Sequence, residues 1–82
     1  MNNLNKANIE KILAKEIEYA ESMDYTIEIE IDSSMLTLII KSQDNMISQN
    51  IIKDFTKTIK EKLEMRGILY IPLHKGISLV FI

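Results

Sequence analysis

Cysteine and tryptophan are absent from the 82 residues, and proline, histidine, arginine and valine occur once each. Without cysteine there is no disulfide, no thiolate metal ligand and no cysteine nucleophile. A single histidine, His74, cannot build a histidine-based zinc site. Two glycines, Gly67 and Gly76, are too few for a glycine-rich loop that cradles phosphate with backbone amides. No apolar run approaches the roughly 18–20 residues of a membrane span. The first eight residues are polar and lack the apolar stretch of a secretory leader. These absences lead to the expectation of a cytoplasmic protein with no membrane association, no cofactor and no metal.

What is present supports one domain. The length leaves no room for a second, and 46% hydrophobic residues suffice for a core. Sixteen isoleucines stand against one valine (Val80), and nine lysines against one arginine (Arg66). That bias is the mark of AT-rich coding DNA. Arginine is the usual tool for bidentate recognition of phosphates and bases, so its scarcity counts against sequence-specific reading of nucleic acid.

From Ala7 to Met23 the apolar residues Ile9, Ile12, Leu13, Ile17, Ala20 and Met23 follow one helical face. Asn5 and Asn8 are both suitable N-caps. The period then becomes two: Tyr25–Ile31 and Met35–Lys41 read as strands of a hairpin about the polar turn Asp32-Ser33-Ser34. A second helix is expected over Met46–Arg66, capped by Asp44, with Ile47, Ile51, Phe55, Ile59 and Leu63 at four-residue steps. Gly67 then stands where a left-handed residue commonly ends a helix. Leu69–Leu73 and Ile77–Ile82 form the last hairpin, with Gly76 supplying a positive φ in the three-residue loop His74-Lys75-Gly76. Pro72 places its strand on an edge, and the apolar last strand belongs in the centre.

The expected fold is α+β, a two-layer sandwich in the order α-β-β-α-β-β. Two helices cover one face of a four-stranded antiparallel sheet. The spatial order third–fourth–second–first resembles a ferredoxin-like fold whose first strand has been moved to the end of the chain. That likeness is topological and implies no function.

Catalytic chemistry finds little support. His74 sits in a tight turn with no orienting partner. Glu28 and Glu30 share a strand face, as the solvated side of a sheet usually does. Asp32-Ser33-Ser34 lacks the ligands of a calcium loop. The protein is expected not to be an enzyme.

Charge and the second sheet face are more informative. Residues 1–34 hold three lysines and eight acids, a net of −5, whereas residues 35–82 hold seven basic and four acidic residues, a net of +3. Lys53, Lys57, Lys60 and Arg66 form a basic face on the second helix, available to a polyanion such as nucleic acid. Asp54, Glu61 and Glu64 interrupt it, so it also reads as an ordinary solvated face. If Ile27, Ile29, Ile31, Leu36, Leu38, Ile40, Leu79 and Phe81 meet the helices, the other sheet face carries Met35, Thr37, Ile39, Tyr70, Val80 and Ile82. Glu28, Glu30 and Lys41 border it. An apolar centre with a polar rim is the anatomy of a protein interface. The resulting expectation is a small protein-interaction module, a homodimer in its simplest form. Size, composition and the lack of catalytic groups are similar to those of phage and mobile-element accessory proteins, some of which inhibit host defence proteins, as anti-CRISPR proteins do. The alternative is a nucleic-acid-binding domain using the basic helix.

Overall fold

A computed structural model describes residues 4–43 and 46–82. Leu4 and Asn5 lead into α1 (Lys6–Ile12), and the Asn5 side-chain oxygen accepts from the Asn8 N–H at 2.8 Å, capping the helix. A single turn residue, Leu13, separates α1 from α2 (Ala14–Ser22). The single first helix expected over Ala7–Met23 is therefore two, which makes three helices among the described residues. Leu13 has φ −99° and ψ 15°, outside helical values, although its N–H still donates to the Ile9 carbonyl and Ile17 donates to its own. The break is thus a bend with its hydrogen bonds kept, and Leu13 itself is fully buried.

β1 (Thr26–Asp32) and β2 (Met35–Lys41) follow as an antiparallel hairpin. Its two central residues are Ser33 and Ser34, with the positive φ of 56° at Ser33. A positive φ at the first central position matches the right-handed twist of the flanking strands. α3 (Gln49–Leu63) then crosses over to β3 (Ile68–Leu73) and β4 (Gly76–Phe81). The sheet order is β1-β2-β4-β3, antiparallel throughout, so β4 is central and the Pro72 strand lies on an edge.

Strand bounds shift by at most one residue, and both ends of α3 and the last hairpin loop differ from expectation. α3 starts at Gln49 rather than Met46, with the Ser48 hydroxyl accepting from the Asn50 N–H at 3.3 Å; the expected cap, Asp44, lies outside the described residues. It ends at Leu63, and the left-handed residue beyond it is Glu64 (φ 52°), not Gly67. Arg66 and Gly67 instead donate to the Ile82 carbonyl at 2.7 and 3.2 Å, and Ile82 donates back to Gly67 at 3.0 Å. A sheet ladder has claimed these residues before the helix could. Gly76 likewise has no positive φ; Lys75 does, at 60°. The β3–β4 loop is the pair His74-Lys75, with Leu73 opposite Gly76.

That one-residue difference in loop length matters. A three-residue loop would put Leu73 opposite Ile77 and Tyr70 opposite Val80. The two-residue loop puts Tyr70 opposite Leu79. A shift of one residue exchanges the two faces of a strand.

The core lies between the layers. Ile9, Leu13 and Ala20 from the first two helices and Ile51, Ile52, Phe55, Ile59 and Leu63 from α3 pack on Ile29, Leu36, Leu38, Ile40, Leu79 and Phe81. Ile27 and Ile31 are half-buried against the same cluster, as befits an edge strand.

Candidate functional site

Antiparallel register places cross-strand partners on one face. Ile29, Leu38, Leu79 and Tyr70 form one row across the sheet, and because the first three are buried under the helices the row faces them. The alternate rows form the outer face. One is Glu30, Thr37, Val80 and Leu69; the next is Glu28, Ile39, Ser78 and Ile71. Leu73 stands beside Gly76 at one end, and Met35 opposite Asp32 at the other. Ile82 and Gly67 exchange hydrogen bonds just beyond the last ladder pair, which extends the same alternation and sets Ile82 beside Met35.

The outer face is therefore divided by strand. β1 contributes Glu28, Glu30 and Asp32, all exposed. β2, β4 and β3 contribute Met35, Ile39, Val80, Leu69, Ile71 and Leu73, with Ile82 at the margin. Leu69 is 53% exposed, Ile71 44% and Ile82 49%. A sheet covered by helices on one side ordinarily turns polar residues to water on the other. Here the solvent side keeps apolar residues on three of its four strands, with Thr37 and Ser78 set among them and an acidic strand beside them, and apolar patches on an uncovered face mark association surfaces.

Met35, Ile39, Val80, Ile82, Glu28 and Glu30 lie together on this face. Tyr70, expected among them, lies on the opposite side of the sheet. Leu69, Ile71 and Leu73 take its place. Alternation could not have phased this strand, since both of its residue sets are apolar; the loop length was the signal that decides it.

Tyr70 joins a different group. Beside β3 a groove of about 440 Å³ is lined by Gln49, Ile52, Lys53, Thr56, Lys57 and Lys60 of α3 and by Tyr70. The ring is 52% exposed there. Arg66, expected with these lysines, is beyond the end of α3 and lines a separate depression with Ser34, Glu64, Met65, Gly67 and Ile82. The four basic residues are thus three and one. Tyr25 is half-buried, and its hydroxyl accepts from the Ser48 N–H at 3.0 Å. Tyr19 is exposed on α2, in a cleft with Lys15, Glu16 and Asp54. His74 is exposed in its turn. Among the described residues no three acidic or histidine side chains converge as a metal site, and no helix is long and apolar enough to cross a membrane.

Comparison of the chain with protein-family models, with curated proteins and with solved structures finds no match.

Proposed function

We propose that this chain is a protein-interaction module that self-associates through the outer face of its sheet and offers the acidic β1 edge to a basic partner. The observation that carries this reading is the apolar patch of Leu69, Ile71, Leu73, Ile39, Val80 and Met35 on the side of the sheet away from the helices. A two-fold pairing centred on β3 and β4 covers these residues and leaves β1 at the rim. Magnitude sets the kind of dimer. Four strands about 4.8 Å apart and six residues long at about 3.3 Å each make a face of roughly 20 by 20 Å. That is smaller than the roughly 800 Å² per partner of a standard interface, so the dimer exchanges with monomer and is not obligate.

At the rim, Glu28, Glu30 and Asp32 repeat at intervals of about 6.8 Å, two residues of an extended strand. A row of carboxylates on a straight strand resembles the row of phosphates along nucleic acid. A protein surface built to hold nucleic acid is the chemistry it fits, and occupying such a surface is how a small inhibitor of a host defence protein would act.

Sedimentation equilibrium tests the self-association. Wild type should move between monomer and dimer across micromolar to millimolar concentration. Ile71→Glu should stay monomeric with an unchanged circular dichroism spectrum, since its side chain is exposed. Glu28→Lys/Glu30→Lys should still dimerise. A wild type that remains monomeric at 1 mM, or an Ile71→Glu variant that dimerises equally well, would overturn the reading.

A further inference from the structure

We infer that the groove between α3 and β3 binds single-stranded nucleic acid, with Tyr70 as the stacking platform and Lys53, Lys57 and Lys60 on the phosphates. The site is on the helix side of the sheet, so it is separate from the outer face and does not depend on it.

The placement begins with helix geometry. At about 100° per residue, Lys53, Lys57 and Lys60 fall within about 60° of arc and span about 10 Å of α3. Asp54 and Glu61 lie about 80–100° round from Lys53, toward α2. Asp54 indeed lines the cleft on that side, with Lys15, Glu16 and Tyr19. Asp54 is therefore turned to the other flank of α3, and neither Glu61 nor Glu64 lines the groove. None of the side chains lining the groove is acidic. Gln49 and Thr56 add neutral hydrogen-bonding groups, although the Thr56 hydroxyl already donates to the Ile52 carbonyl at 2.8 Å.

Tyr70 decides between ligand classes. Lysines alone would attract any polyanion, an acidic peptide as readily as a nucleic acid. An aromatic ring half open to water inside a lysine-lined groove offers a flat face on which a base can stack. Stacking requires an unpaired base, which a single strand presents and a duplex does not. The lysines meanwhile give point-charge contacts without base-edge reading, so binding is sequence-tolerant.

Fluorescence anisotropy with labelled oligothymidylate tests this on the full chain. Binding should weaken with salt at a log–log slope of about −2, as three phosphate contacts on a single strand require. Tyr70→Ala should weaken it about 5- to 100-fold, the range that base–aromatic stacking corresponds to, whereas Tyr70→Phe should retain it. Lys53→Gln/Lys57→Gln/Lys60→Gln should abolish it. Ile71→Glu should bind as wild type, which keeps this result distinct from failure of the outer-face dimer. Absence of binding overturns the assignment. So does a Tyr70→Ala variant of wild-type affinity, or equal affinity for a duplex of the same length. Polyglutamate displacing the oligonucleotide as well as unlabelled oligothymidylate does would move the groove to an acidic protein ligand instead.

Discussion

Gly76 sits where β2 and β4 come together, and the space around it explains its identity better than its backbone does. A Cβ at this position would lie 2.4 Å from the Ile40 carbonyl oxygen and 3.2 Å from the Lys41 Cα. Both obstacles are backbone of a central strand, which cannot rotate aside as a side chain would. Gly67 gives the contrast: its Cβ would meet only the Ile82 side chain, at 3.9 Å, and its φ is not positive. Gly76→Ala should therefore cost about 2–3 kcal/mol through overpacking, and Gly67→Ala should stay within about 0.5 kcal/mol of wild type. Urea unfolding with a shared m-value checks the pair. Equal midpoints for the two variants would show that β2 and β4 are free to part at Gly76.

The helices and strands differ in how far their sequence alone announces them. β1 is legible because isoleucine alternates with polar residues, and only one phase buries them. β3 is not, since Ile68, Tyr70 and Pro72 on one side are as apolar as Leu69, Ile71 and Leu73 on the other. Its facing depended on a loop one residue shorter than glycine placement suggests, and that single residue moved Tyr70 from the outer face to the groove. The end of α3 was hidden for another reason. Glu64, Met65 and Arg66 suit a helix locally, but the Ile82 carbonyl captures the Arg66 and Gly67 N–H groups from across the chain. Local propensity yields to a long-range ladder.

The same long-range character fixes α2 to α3. The Thr58 hydroxyl donates to the Glu16 carboxylate at 2.7 Å, with both side chains half-buried. A hydrogen bond to a charged acceptor is stronger than a neutral one, and partial exposure trims it. Thr58→Val should cost about 1–2 kcal/mol. A double-mutant cycle with Glu16→Ala, which removes the acceptor that a glutamine amide would keep, should return a coupling energy of about 0.5 kcal/mol or more. Additive losses would mean that the two helices are held by their apolar contacts alone.

At the scale of the whole molecule, sheet order gives the charge asymmetry a direction. β1, with Glu28, Glu30 and Asp32, is one edge; β3, beside the lysines of α3, is the other. The net charge of −2 thus hides an acidic edge at β1 and a lysine-lined groove beside β3, and the apolar face lies between them. Salt distinguishes what each surface does. Screening acts on exposed charges over a Debye length of about 10 Å at 0.1 M and about 3 Å at 1 M. It has little purchase on apolar contact. Self-association through Leu69, Ile71 and Val80 should therefore keep its dissociation constant within about threefold between 50 and 500 mM sodium chloride. A head-to-tail association, acidic edge to lysine groove, should weaken by more than tenfold over that interval and would form open chains rather than closed dimers. Sedimentation velocity at the two salt concentrations separates these cases by both affinity and species size. A salt-stable species that stops at the dimer is the outcome the sheet face requires. Longer, salt-labile oligomers would mean that charge, and not the apolar patch, brings the copies together.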